Sequence, residues 1–330
     1  MRKWCLALVL TGLLTLGALA AAGAMWLHAP IVSGKQLDLS IEPGVTARGV
    51  ARLVAASGAD VNPDLLYWWF RWSGHSRSIR AGSYELDPGT TPNSLTNKLV
   101  RGEEALRFVT FIEGWNFRQV RAALASADQL KPETKDLTPE ALMAAIGKPG
   151  QHPEGQFFPD TYTYAKGSAD VAVLKRAAKA MDKHLDAAWA GRKPDTPLKT
   201  PAELLVLASI VEKETGQPSE RPLIASVFTN RLRTGMLLQT DPTVIYGVGE
   251  TFDGNLRKKD LLTDTPYNTY TRAGLPPTPI AMPSKAALMA AALPADTPAL
   301  YFVARGDGTS QFSATLPEHN RAVAKYQLGR

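Results

Sequence analysis

The chain has a single cysteine, Cys5, at the start of an apolar N-terminal stretch. No intramolecular disulfide can form, and the rest of the chain can hold neither a thiolate nucleophile nor a cysteine-ligated metal. Histidine is nearly as scarce. His28, His75, His152, His184 and His319 are scattered without ligand spacing, so no metal site and no cofactor are expected. There is no Gly-x-Ser-x-Gly and no His-Glu-x-x-His, which leaves serine-hydrolase and metalloprotease readings without support. Gly247-Val248-Gly249 is no dinucleotide loop, because Phe252 stands where the third glycine would be. A Lys/Arg-rich run with interleaved aromatics is also missing. The net charge of +6 therefore suits lipid headgroups, an acidic polymer or simply a soluble surface, and nucleic acid is not expected as a partner. No internal repeat or low-complexity tract occurs.

Charge is absent from residues 4–27, a Leu/Ala/Gly-rich run preceded by Arg2 and Lys3. At about 1.5 Å per residue it is long enough to cross a hydrocarbon layer of roughly 30 Å. The two basic residues place residues 1–3 in the cytoplasm and send the rest of the chain outward. A cleaved signal peptide is the other reading, with Ala18-Leu19-Ala20 as its cleavage site, although the apolar core is long for that role. Cys5 precedes the apolar core, so no lipoprotein modification site is indicated.

What is present beyond that run has ordinary globular proportions, 45% hydrophobic and 21% charged residues. Residues 28–36 read as a juxtamembrane linker. Leu37 to Ile41 alternates like a strand and is closed by Glu42-Pro43-Gly44. Thr46 caps a helix through Val50, Leu53 and Val54, and Asn62-Pro63 opens another through Leu65, Leu66, Trp69 and Phe70. Gly82 to Leu86 reads as a second strand and Pro92 to Val100 as a short helix. The cluster Tyr67, Trp68, Trp69, Phe70 and Trp72 reads first as core, with stacking on sugar rings as the alternative.

A new unit begins near Leu106. Arg107 to Ile112 reads as a strand and Phe117 to Ala125 as a helix. Glu154 to Tyr164 is aromatic-rich and helix-poor, and Val171 to Trp189 is a strongly amphipathic helix. Thr200-Pro201-Ala202-Glu203 reads as a capping box that opens a helix apolar almost all round, ended by Gly216 and Pro218. Glu212 and Glu214 fall in its last turn. The partial negative charge of a helix C-terminus and partial burial both disfavour a carboxylate there, which keeps a proton on it towards neutral pH, as a general acid requires. Glu214 shares its face with Leu207, Ile210 and Val211, and Glu212 with Ala208 and Ser209. The more apolar face favours Glu214 as acid/base, with Glu212 as its orienting partner; a solvated helix end is the alternative.

Downstream, Ser219 reads as the cap of a helix with a Leu223, Ile224, Val227, Phe228 and Leu232 stripe. Residues Met236 to Gly247, Thr265 to Tyr270 and Gly274 to Ile280 read as loops rich in amides, hydroxyls and aromatics, the mixture that sugar rings require.

At these residues the sequence resembles the endolytic murein transglycosylase (YceG-like) family. The resemblance is carried by Glu154 to Tyr164, Ala208 to Thr215, Ser226 to Leu232, Leu238 to Gly247, Tyr267 to Tyr270, Gly274 to Pro277, and Phe312 to Asn320. It implies an α+β chain with a single N-terminal transmembrane helix (residues 4–27), a small LysM-like βααβ module (37–105) and a larger mixed α/β catalytic domain (106–330). It also implies a single-pass inner-membrane protein with its catalytic domain in the periplasm. Such an enzyme would cut the MurNAc-β-1,4-GlcNAc bond inside nascent peptidoglycan strands, leave a 1,6-anhydro end, and work beside peptidoglycan synthases. Glu214-Thr215 stands where the family resembles the Glu-Ser pair of other lytic transglycosylases. Gln239, Asp241, Tyr267, Asn268, Tyr270 and Asn320 are expected to position sugar or stabilise charge. Two rival readings remain open: a muramidase-type hydrolase with Asp241 or Glu212 as second carboxylate, and a noncatalytic peptidoglycan-binding scaffold.

Overall fold

A computed structural model describes residues 2–329, with side chains from Leu10 onward. The side chains of residues 1–9, those of Arg2, Lys3 and Cys5 among them, lie outside the described part. Helix α1 (Arg2–His28) includes a segment, Leu10–His28, long and apolar enough to cross a membrane. Its Leu13, Leu14, Leu16 and Leu19 side chains are bare to the surroundings.

The chain forms two compact units. The first comprises residues up to Arg107 together with Thr163–Ser168. Strand β1 (Leu37–Ile41), helices α2 (Ala47–Ala56) and α3 (Pro63–Trp72), strand β2 (Gly82–Leu86) and helix α4 (Pro92–Arg101) follow α1. β1 and β2 pair antiparallel with Leu39 opposite Tyr84. Alternation turns Leu39, Ile41, Tyr84 and Leu86 inward, onto Val50 and Val54 of α2, Leu66 and Phe70 of α3, and Leu95 and Leu99 of α4. Burying each such side chain contributes roughly 1.5–3 kcal/mol. Thr46 and Asn62 cap their helices as the sequence suggests.

Residues 28–36 are not a free linker. Ile31 and Val32 are buried in this core, and Trp26 packs against it. The Ile31 amide donates to the Thr90 carbonyl at 2.8 Å, and the Ile31 carbonyl accepts from the Asp60 amide at 2.8 Å. Two apolar side chains in a short polar segment gain more by entering the core than by staying in water. Only part of the aromatic cluster enters the core. Phe70 is core and Trp69 donates to Thr96, whereas Trp68 and Trp72 are exposed and stack on each other with ring centroids 5.7 Å apart.

Strand β3 (Leu106–Thr110) ends the first unit and opens the second. Helices α5 (Phe117–Ser126) and α6 (Pro139–Ala145) lead to β4 (Thr161–Ala165), which pairs with β3. The boundary falls inside both strands. Thr163–Ser168 therefore joins the small unit rather than the large one: Lys166 reaches Asp38 at 2.6 Å, and Ser83 donates to its carbonyl at 2.8 Å.

Helices α7 (Asp170–Ala190), α8 (Pro201–Glu214), α9 (Arg221–Thr234), α10 (Asp241–Val248), α11 (Lys258–Leu262) and α12 (Lys285–Ala292) build the second unit. The hairpin β5 (Tyr301–Ala304) and β6 (Ser310–Ser313) and helix α13 (Leu316–Tyr326) complete it. α8 is its axis. Leu204 to Val211 are all buried, and α7, α9 and α12 pack around them. A helix apolar on every side belongs in the middle of a bundle. Ser209, its one buried hydroxyl there, donates to the Val206 carbonyl at 2.7 Å and accepts the Ile280 amide at 3.0 Å, which ties the loop before α12 to the axis.

Three local readings change. Thr200 caps α8 through the Glu203 amide, but the Glu203 carboxylate turns to the Lys199 amide at 2.5 Å, so the box is half closed. The residue at the cap position of α9 is Glu220, not Ser219, and its carboxylate instead holds Ser310 on β6. Met236 to Gly247 is not all loop: Pro242 sits in the first turn of α10, where its missing N–H costs nothing.

Candidate active site

α8 ends at Glu214, and the chain leaves the helix at Thr215 in an extended conformation. The Glu214 carboxyl is half-buried in the wall of an open cavity of about 620 Å3. Gln239, Asp241, Tyr270 and Asn320 line the same cavity. Four of the residues singled out in the sequence are thus gathered around Glu214.

The hydroxyl of Thr240 donates to Glu214 Oε1. Thr240 occupies the N-cap of α10 yet makes no capping bond, because its hydroxyl is turned to the carboxyl instead. A capping threonine contributes about 1 kcal/mol, so α10 forgoes that in favour of the site. Gln239, one residue earlier, has φ of 48°, a left-handed conformation uncommon outside glycine, and its amide donates to the Thr269 carbonyl at 3.0 Å. Asp241 Oδ1 accepts the Tyr270 hydroxyl at 2.5 Å.

Burial pushes the Glu214 carboxyl up to about 7. The Asp241 charge pushes the same way, while the Thr240 hydrogen bond and the Arg231 charge oppose. Arg231 was not singled out in the sequence. It is buried, donates to the Leu300 and Leu238 carbonyls at 2.7 and 2.8 Å, and lies over the Tyr301 ring. His319 stacks on the other partner of that pair, Tyr301, at 5.1 Å. Burial and then the Arg231 charge lower its pKa, which keeps the ring neutral at pH 7.

Glu212, Tyr267 and Asn268 do not line this cavity. The Glu212 carboxylate accepts the Ser284 amide at 2.8 Å and its hydroxyl at 2.5 Å, at the N-cap of α12, and faces Arg221 at 3.7 Å. It anchors a helix start rather than orienting Glu214. Tyr267 packs edge-on against Tyr246 and shares a 2.8 Å hydrogen bond with Thr278. The buried Asn268 amide donates to three carbonyls, those of Asp260, Leu261 and Thr263, and its oxygen accepts the Tyr270 amide at 2.8 Å. It acts on the cavity through Tyr270.

A second carboxyl escaped the sequence reading. Glu154 is buried, accepts the Phe117 amide at 3.0 Å and the Tyr246 hydroxyl at 3.0 Å, and is also pushed up to about 7 by burial. Gly155 fixes it in place. Its φ is 78°, and a Cβ there would meet Pro279 at 2.6 Å, so no other residue fits. The stability consequence has a definite sign. Below the unfolded value near 4.5 the carboxyl is protonated in both states and its contribution is complete. As pH rises through about 7 the unfolded chain ionises more readily and roughly 3 kcal/mol is lost. Thermal melting at about pH 5 and pH 8 is expected to show a smaller fall in Glu154→Gln than in the wild type. An equal fall in both would place the cost elsewhere.

A carboxyl pushed up towards neutrality at the end of a buried helix, opening on a cavity walled by amides, hydroxyls and aromatic rings, has the chemistry that acid/base work on a polar substrate requires. More narrowly, the chain belongs to the YceG-like family, whose sequence profile matches residues 39–325. It is 32% identical over 311 residues to the endolytic murein transglycosylase of Bacillus subtilis, covering 88% of this chain and 84% of that one. It is 27% identical to the endolytic murein transglycosylase of Streptococcus pneumoniae over 89% of this chain, and spans 59% of that longer protein. The crystal structure of a yceG-like protein from Listeria monocytogenes superposes with a TM-score of 0.55 at 28% identity, covering 88% of this chain and 99% of that one.

Proposed function

We propose that this chain is an endolytic murein transglycosylase in which Glu214 is both acid and base. The observation that carries the reading is Glu214 itself, a carboxyl whose pKa is raised to about 7, in an open cavity and held by the Thr240 hydroxyl. Relatives that bear this name over most of the chain support the substrate class.

Protonated Glu214 donates to the oxygen bridging muramic acid and glucosamine, and the bond from that oxygen to the muramic C1 breaks. Positive charge develops on the ring. Asp241, itself steadied by Tyr270, supplies a negative charge to offset it. The muramic C6 hydroxyl then attacks C1 and gives its proton to the Glu214 carboxylate. A 1,6-anhydro end forms, the acid is restored, and no water is consumed. Gln239 and Asn320 position the sugars.

The small unit is read as a LysM-like module, on the βααβ order and the antiparallel pairing of its strands. α1 is read as a single-pass inner-membrane anchor, with the enzyme in the periplasm beside peptidoglycan synthases. Arg2 and Lys3 and the bare apolar flank of α1 support the orientation and the anchor.

Asp241 favours one rival. A second carboxylate in the same cavity as Glu214 could activate water, as in a muramidase. Mass spectrometry of digested glycan strands separates the two. The anhydro product is one water lighter than a hydrolytic product, and a digest made only of the heavier species would overturn the lytic reading.

A further inference from the structure

The Glu214 carboxyl meets the Thr240 hydroxyl where two helices end, α8 at its last residue and α10 at its N-cap. Behind that meeting point the same two helices are tied together a second time, and Glu154 is the centre of the tie. Glu154 is 3% exposed and accepts donors from two elements: the Phe117 amide at the start of α5, at 3.0 Å, and the Tyr246 hydroxyl in α10, at 3.0 Å. The Tyr246 ring packs edge-on against Tyr267, with centroids 4.8 Å apart, and the Tyr267 hydroxyl shares a 2.8 Å hydrogen bond with Thr278. The next residue, Pro279, lies against Gly155, which closes the circuit beside Glu154. Ile280 then donates its amide to Ser209 of α8 at 3.0 Å.

At about 1.5 Å per residue, Ser209 lies roughly 7.5 Å before Glu214 and Tyr246 roughly 9 Å after Thr240 along their helices. Both helices are thus braced about a turn and a half back from the point where they meet. α10 needs the brace. It has only eight residues, too few to stay in place by its own hydrogen bonds, and its N-cap hydroxyl is given to Glu214. The loop presses so closely on Gly247, the neighbour of Tyr246, that a Cβ there would meet Thr265 Oγ1 at 2.9 Å and Tyr267 Cβ at 3.2 Å. Close packing of this kind transmits a shift rather than absorbing it. The cleavage steps give Glu154 no task of their own, since it does not line the cavity of Glu214.

We propose that Glu154 is a positioning residue for the cleavage reaction: by holding Tyr246 it sets α10 so that the Thr240 hydroxyl reaches Glu214. The inference rests on the reading of Glu214 as the acid. Glu154 moves no proton in the reaction, so its shape and its two hydrogen bonds are what count. Glutamine can supply both, an oxygen for the Phe117 amide and an N–H for the Tyr246 oxygen. Phenylalanine at 246 keeps the ring against Tyr267 and removes the hydroxyl alone.

The test uses the full chain in detergent, with two readouts. In strand cleavage, Tyr246→Phe and Glu154→Ala are expected to lower kcat about fivefold or more with KM within about twofold, as for a displaced catalytic group. Glu154→Gln should stay within about twofold of wild type. In a Thr240→Val background, Tyr246→Phe should cost less than about twofold further, because the contact it protects is already gone. The second readout needs no cleavage. The Thr240 hydrogen bond holds the Glu214 carboxyl down. Its titration midpoint, followed by carboxyl resonances and assigned with Glu214→Gln, should therefore rise in Tyr246→Phe and Glu154→Ala and stay in Glu154→Gln. Far-UV circular dichroism and melting verify each fold, and Tyr246→Phe carries the test if Glu154→Ala does not fold. An unmoved midpoint in Tyr246→Phe, or a full additional loss in the Thr240→Val background, overturns the proposal. A midpoint that rises in a chain whose wild type cuts no strand supports the positioning of Thr240 and counts against Glu214 as the acid.

Discussion

Glu214→Gln is expected to lower the rate of strand cleavage by about a thousandfold or more, with strand affinity nearly unchanged. One residue serves as acid in the first half of the reaction and as base in the second, and each such transfer is worth roughly 10²–10⁴ in rate. Glutamine keeps the shape of the side chain and can still accept the Thr240 hydroxyl, so the cavity wall is retained. It has no proton to give to a leaving oxygen. Burial that pushes the carboxyl up to about 7 also means that the ionised form is costly above that pH. The variant should therefore melt no lower than the wild type at about pH 8. Initial rates on purified strands, with affinity measured on the same preparations, check this. A loss of less than about tenfold would mean that another group supplies the proton.

Asn268→Ala is expected to destabilise the protein by about 3 kcal/mol. Asn268 is 1% exposed, and its amide satisfies three backbone carbonyls at the C-terminal end of α11, those of Asp260, Leu261 and Thr263, at 3.3, 3.0 and 2.7 Å. Removing it leaves those carbonyls without the donor that holds the turn closed and frees the Tyr270 amide as well. Tyr270 then loses the orientation that brings its hydroxyl to Asp241. Urea unfolding measures the stability, and the activity of the folded fraction should fall too. A loss below about 1 kcal/mol would show that the turn holds itself.

Much of this arrangement is legible in the chain because it depends on near neighbours. Thr200-Pro201 opens α8, an unbroken apolar stretch buries it, and Thr215 leaves it, which puts Glu214 at its end. The β1-α2-α3-β2 order follows from alternation and capping in the same way. What is not legible depends on residues far away. Glu212 and Glu214 differ little by helical spacing. Ser284, 72 positions on, decides between them by claiming Glu212 for the start of α12. Arg231 is fixed by a carbonyl 69 positions away, and Glu154 by an amide 37 positions before it and a hydroxyl 92 positions after. The helix α10 did carry a local signal, Asp241-Pro242, but its N-cap hydroxyl serves Glu214 and its loop-like composition hid the turn. Ile31 and Val32 were two apolar residues in a segment otherwise suited to a linker, and only the core they enter explains them.

The proton on Glu214 is the central claim, and its titration tests it most directly. Carboxyl resonances of glutamate-labelled protein, followed with pH in the wild type and in Glu214→Gln, isolate this group from Glu154 by difference. The account predicts a signal absent from the variant with a midpoint near 7. A midpoint at the ordinary value near 4.5 would contradict it, because the side chain would then be fully ionised when the strand arrives.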